Sequence, residues 1–210
     1  MKKIFLTTIL FSITYGNIFS QNGKKLNESE KQIFEQKMIT QFKKVKTLQC
    51  AFMQEKASAL VSENAVSKGI LLYQPPSALR WEYLSPAPMA LILNGNNAVL
   101  LNKNGTKIGN EKMLKQLGYL IIDMINGKSM SNSKQFFTEI YETADTQMTI
   151  VLTPVQKRLK EFYSVIELKI DAKTLLASEI ILNEKSGDKT VISLINKELN
   201  KEIPQKKFEY

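Results

Sequence analysis

Residues 69–95 read GILLYQPPSALRWEYLSPAPMALILNG, and their period is that of strands. Gly69 to Tyr73 is a short apolar run. Pro75, Pro76 and Ser77 then mark a turn, because proline fixes φ and removes an amide donor. Leu79, Trp81 and Tyr83 follow at every second position, with Arg80 and Glu82 between them. A strand sends alternate side chains to opposite faces, so these three groups share one face and the two charges share the other. Pro86 and Pro88 break the chain. Met89 to Leu93 resumes as a strand, and Asn94-Gly95 is a dipeptide favoured in tight hairpins. Ala98 to Asn102 is the expected partner strand, and Asn104-Gly105 turns again.

Upstream, Leu48, Cys50 and Phe52 alternate with Gln49, Ala51 and Met53, another strand pattern. Before them, Asn27 to Lys46 reads as a helix, with Asn27 as cap and Glu30 at the capping-box position. Ile33, Phe34, Met38, Phe42 and Val45 recur at steps of three and four, which gives it an apolar stripe. Downstream, Asn110 to Ile125 carries Met113, Leu114, Leu117, Leu120, Ile121, Met124 and Ile125 at helical spacing, and Gly127 ends it. Residues 133–142 fit a short helix or a strand equally well. Strands are expected at about 147–153, 162–170, 175–183 and 189–197. Asp171-Ala172-Lys173 and Lys185-Ser186-Gly187-Asp188 act as turns in an antiparallel meander. The tail, Ile203 to Tyr210, could add a short edge strand. With no repeat or linker, residues 21–210 read as one domain. The fold class is mainly β with helices (α+β): a curved antiparallel sheet that must curl or close, with helices over its open side.

Residues 1–20, MKKIFLTTILFSITYGNIFS, have the form of a signal peptide: Lys2 and Lys3, an apolar stretch too short to span a bilayer, then small Ser20 before Gln21. No cysteine follows, so there is no lipobox. An exported, soluble protein is expected. The single cysteine, Cys50, then reads as a buried apolar residue.

Composition excludes much chemistry. Histidine is absent, which removes histidine-based nucleophilic catalysis, His-ligated metal sites and histidine switching. The net charge is +9, yet of 29 basic residues all but Arg80 and Arg158 are lysine. Arginine's fork is the usual tool for base and phosphate recognition, so nucleic acid is not an expected partner. The lysines read as a solvated surface, or as attraction to an anionic membrane or partner. No phosphate loop, nucleophile elbow or calcium loop is present. Asp171 and Asp188 read as turn formers, and Glu82 as the partner of Arg80 or a lysine. No enzyme and no cofactor are expected. The apolar inner face fits an apolar ligand, and from periodicity alone it fits an ordinary core as well.

Phe52-x-Gln54, then Gly69-x-Leu71-x-Tyr73-x-x-Pro76-x-x-Leu79-Arg80-Trp81-Glu82-Tyr83-x-x-Pro86, then Asn94-Gly95, Val151-Leu152-Thr153-Pro154 and the meander from Asp171 to Thr190 together resemble the outer-membrane lipoprotein carrier (LolA) family. The resemblance implies an unclosed β-barrel with a helical lid, and a periplasmic chaperone whose hydrophobic cavity holds lipoprotein acyl chains. It implies a monomer that takes lipoproteins from an inner-membrane ABC transporter to an outer-membrane acceptor. The acceptor is itself a lipoprotein of similar fold, so the missing lipobox favours the soluble carrier. A carrier or sensor of another acylated molecule or lipid is the alternative. On this resemblance Leu71, Tyr73, Leu79, Trp81, Tyr83, Met89, Leu91 and Leu93 line the cavity, and Met113, Leu117, Leu120, Ile121 and Met124 form the lid. The family's best-known branch has a basic latch residue just before the motif proline. Here that position is Pro75. Arg80 lies opposite Trp81, so a structural or rim role is expected of it.

Overall fold

The computed structural model describes residues 23–109, 111–125, 134–143 and 147–210. The leader, Asn110, Gly127 and residues 131–133 lie outside these, as do the side chains of Val61, Met113, Leu114, Leu117 and Met124. In chain order the elements are β1 (Gly23–Lys25), α1 (Glu28–Phe42), β2 (Leu48–Ser58), β3 (Val61–Gln74), β4 (Ala78–Ser85), β5 (Met89–Asn94), β6 (Asn97–Asn102) and β7 (Lys107–Ile108). Next come α2 (Glu111–Ile125), β8 (Phe136–Thr143), β9 (Gln147–Pro154), α3 (Lys157–Phe162), β10 (Tyr163–Asp171), β11 (Ala177–Glu184) and β12 (Lys189–Leu199), and a 3-10 turn at Gln205–Phe208 ends the series.

The described strands form one antiparallel sheet in the order β1-β8-β9-β10-β11-β12-β2-β3-β4-β5-β6-β7. Pairing of β12 with β2 joins the two meanders, and β1 and β7 are left as the edges of an unclosed barrel. Register follows the apolar alternation. Leu48 pairs with Tyr73, Cys50 with Leu71 and Phe52 with Gly69; Leu79, Trp81 and Tyr83 pair with Leu93, Leu91 and Met89. Directly opposed residues point to the same face, so one apolar surface runs across all these strands. It continues through Leu194, Ile192, Ile180, Leu168, Ile166, Ile150 and Leu152, all buried. Each such side chain contributes about 1.5–3 kcal/mol by leaving water.

Helix α1 is capped by Asn27, which accepts from the Glu30 amide while the Glu30 carboxylate accepts from the Asn27 amide. The helix ends at Phe42, short of the expected Lys46, and Val45 is buried after it. Its stripe is narrower than the spacing suggests: Phe34 and Met38 are buried, but Ile33 is exposed. The ambiguous 133–142 segment is resolved as strand β8, with Phe136, Thr138 and Ile140 turned inward against β9.

The tail is no edge strand. Its 3-10 turn buries Phe208 with Leu72 and Ile203 on the outer face of the sheet. Strand β3 is far longer than the apolar run at its end. Residues 61–67 pair with β2 alone and project beyond β4 as a solvated ribbon, so no apolar period marks them.

Candidate functional site

The inner face is built around an aromatic plate. Phe52 lies against Trp81 with ring centroids 4.5 Å apart, and meets Tyr83 edge-on at 5.2 Å. Such pairs contribute about 0.5–1.5 kcal/mol beyond their burial. The plate exists because Gly69 stands beneath it: a Cβ at Gly69 would lie 2.3 Å from Phe52 Cζ. Leu71, Leu79, Leu91 and Leu93 extend the surface and are buried, as is Tyr73, while Met89 is half-buried at its end. The structure therefore brings the eight expected cavity residues to one face. Phe52 and Gln54 belong to the same spot and were absent from the expected set, although the Phe-x-Gln step of the motif carries both.

A polar group is set into this surface. The Tyr83 hydroxyl donates to Gln54 Oε1 at 2.8 Å. Burial pushes the Tyr83 hydroxyl above its ordinary value, and the Trp81 and Gln54 side chains act against that rise. The indole Nε1 of Trp81 is buried and makes no hydrogen bond of acceptable geometry. Such an orphaned donor costs about 1–3 kcal/mol.

Polarity rises along the face. On β2, Leu48, Cys50 and Phe52 give way to Gln54 and then Lys56. On β12, Leu194 and Ile192 give way to Thr190. The Lys56 amine reaches Glu184 at 3.0 Å and Asp188 at 3.2 Å. At the apolar end, the half-buried Lys197 amine donates to the carbonyls of Ala177 at 2.9 Å and Leu194 at 3.4 Å. Burial lowers the pKa of Lys197 and pushes the Cys50 thiol up to about 12.

Two helices cover this face from its two edges. Lys31 of α1 donates to the Thr138 carbonyl at 3.1 Å, tying α1 beside β8. Helix α2 lies over β5 and β6. Gly118 makes the approach possible, since a Cβ there would stand 3.2 Å from Leu93 Cδ2. Next to it, the Tyr119 hydroxyl donates to the Gly95 carbonyl at 2.9 Å. Ile121, Ile122 and Ile125 are buried in one cluster with the barrel face, and Leu120 packs against it. Leu120 and Ile121 of the expected lid are therefore on the covering helix. Ile122 and Ile125 were not in that set, though both lie within a Gly118-centred face at steps of three and four. The side chains of Met113, Leu117 and Met124 lie outside the described residues.

Arg80 is on the outer face. Its Nε donates to Glu82 at 2.6 Å and its guanidinium to the Lys207 carbonyl at 3.2 Å, so it clamps the C-terminal turn to β4. It is not placed to hold a lid. A hollow of about 540 Å³ runs along the solvent side of α1 between Gln36, Lys37, Thr40 and Leu175. Its lining is largely apolar, with Ile33 and Leu175 beside glutamine, lysine and threonine side chains of α1, and none of the eight barrel-face residues borders it.

A family model for the outer membrane lipoprotein carrier protein LolA matches residues 43–210. Among solved structures, the MucA/MucB complex from Pseudomonas aeruginosa is similar with a TM-score of 0.52 and 9% identity, over 86% of this chain and 60% of that one. An uncharacterized conserved protein from Thermus thermophilus gives a TM-score of 0.51 and 9% identity, over 83% of this chain and 93% of that one. A LolA superfamily protein from Nitrosomonas europaea gives 0.45 and 11%, over 84% and 97%. At such identities the likeness is one of fold, and this chain spans about 60% of the MucB chain's length. No curated protein matches the sequence.

Proposed function

Because this chain belongs to the outer membrane lipoprotein carrier (LolA) family, we propose that it is a periplasmic chaperone that carries lipoproteins from the inner to the outer membrane, sheltering their acyl chains against the inner barrel face. The observation that carries this reading is the single apolar cluster shared by the barrel face and the covering helices. An acyl chain in water costs about 0.8 kcal/mol per CH₂. A face already covered by Ile121, Ile122 and Ile125 can exchange those side chains for an acyl chain of like polarity. The exchanged states then differ little in energy, and small differential contacts with a donor or acceptor decide which is populated.

On this reading the chain acts as a single domain and a monomer after removal of its leader. It does no covalent chemistry, loads from an inner-membrane ABC transporter and unloads to an outer-membrane acceptor. The fold likeness to MucB, solved in complex with MucA, supports a second reading. In it the same face binds an acylated molecule or lipid for sensing, and a separate surface binds a protein partner.

Native mass spectrometry of the mature protein mixed with a detergent-released triacylated lipoprotein tests the first reading. A one-to-one complex is expected. A folded protein that forms none overturns acyl binding. Depletion in the cell then separates the two readings, since only loss of a general carrier strands many lipoproteins at the inner membrane.

A further inference from the structure

Trp81 is 4% exposed, and its indole N–H makes no hydrogen bond of acceptable geometry, although it approaches the Tyr83 hydroxyl closely enough to oppose the rise in that group's pKa. It sits on the inner face beside Tyr83, whose hydroxyl already donates to Gln54 Oε1. That bond fixes the Gln54 amide with its oxygen used and its two N–H groups available as donors. The spot thus offers donors where an apolar surface offers none. It also lies at the boundary where β2 passes from Phe52 to Gln54 and Lys56. Toward Leu79 and Leu93 the same face is apolar and fully buried.

We infer that Trp81 Nε1–H and the Gln54 amide form a carbonyl-reading subsite for the ester or amide oxygen at the head of a bound acyl chain. The chain then lies along the barrel with its tail toward Leu79 and Leu93 and its head toward Lys56. The inference rests on the acyl-binding reading and adds to it a polarity and a chemical requirement: a carbonyl at the chain's root. An orphaned buried donor is the expected form of such a subsite, because the acceptor arrives with the ligand and relieves the lost hydration. At the far end the Lys197 amine differs from the indole in that two of its three N–H groups already reach the carbonyls of Ala177 and Leu194.

The test compares 1-lauroylglycerol with 1-O-dodecylglycerol, which lacks only the carbonyl, by displacement of an apolar fluorescent dye from the mature protein. The wild type should bind the ester about five- to tenfold more tightly than the ether, the range of one buried hydrogen bond. Trp81→Phe should bring the two ligands to near parity, whatever it does to the affinity of both together. Equal binding by the wild type, or a preference that survives Trp81→Phe, overturns the subsite and leaves acyl binding standing. Failure of both ligands to displace the dye overturns acyl binding and the subsite together. A second readout needs no variant: the infrared band of a ¹³C-labelled ester carbonyl in the complex should fall to the hydrogen-bonded range, and a non-bonded band overturns the inference.

Discussion

Gly69 stands opposite Phe52 in the β2–β3 ladder, and the Phe52 ring occupies the space that any side chain at position 69 would need. A Cβ at Gly69 would meet Phe52 Cζ at 2.3 Å and the Glu82 carbonyl oxygen at 2.0 Å. The ring is thereby free to lie across β3 and reach Trp81 and Tyr83 on β4. The aromatic plate at the centre of the candidate site is thus set by an absent side chain as much as by three present ones.

Gly69→Ala should therefore destabilise the fold by about 3 kcal/mol or more, well beyond the loss expected from conformational entropy alone. The double variant Gly69→Ala/Phe52→Leu should recover only part of the loss, because the Glu82 oxygen is backbone and cannot rotate away. Urea titration followed by Trp81 fluorescence reads both. Full recovery in the double variant would show that ring crowding alone is responsible.

Tyr119→Phe should loosen α2 without harming the barrel. The bond from its hydroxyl to the Gly95 carbonyl is exposed and joins the helix to the β5–β6 hairpin. Such a bond is worth about 1 kcal/mol, so the population with α2 lifted should rise roughly fivefold. Hydrogen exchange across residues 115–125 and the association rate of an apolar dye should both increase, with the melting temperature little changed. Unchanged exchange would show that Gly118 packing on Leu93 holds the helix by itself.

Cys50 should be inert in the folded protein. Burial pushes its pKa up to about 12 from an ordinary value of 9.0. At pH 8 the thiolate fraction is then about a thousandfold lower than for a free cysteine. Iodoacetamide should label Cys50 at a rate that follows unfolding, and rapid labelling in native buffer would contradict the burial.

Much of this arrangement was legible in the sequence where a face is half buried. Leu79, Trp81 and Tyr83 alternate with Arg80 and Glu82 because one side meets the barrel interior and the other the C-terminal turn. Asn94-Gly95 declares its hairpin through Gly95, whose φ is 57°. Legibility failed where no face is buried or where the partner is distant in sequence. Residues 61–67 have solvent on both sides of the ribbon, so no period marks them as strand. Phe208 reads as edge strand until Leu72, 136 positions earlier, supplies its contact (208 minus 72). Gly118 lies over Leu93, 25 positions earlier in the chain (118 minus 93), and nothing in the helix's own spacing announces that contact.

Acid should unfasten the polar end of the barrel before the apolar end. Asp188 accepts from the Ala59 amide at 3.0 Å and the Ser58 hydroxyl at 3.2 Å, and pairs with Lys56 at 3.2 Å. The Ala59 amide, then Lys56, holds its carboxyl below the ordinary value of 3.8. The unfolded chain therefore binds a proton at a higher pH than the folded chain does. Stability from this carboxylate is fully present above about pH 4 and is lost as pH falls through the depressed folded value. Asp188→Asn keeps the side-chain size and one acceptor oxygen but removes the charge. It should melt at a lower temperature than the wild type at pH 7, and the gap should narrow as pH falls below about 4. Melting curves from pH 7 to pH 2.5 measure both. A gap that stays constant over that range would show that the folded carboxyl is not held below its ordinary value, and that neither the Ala59 amide nor Lys56 draws stability from its charge.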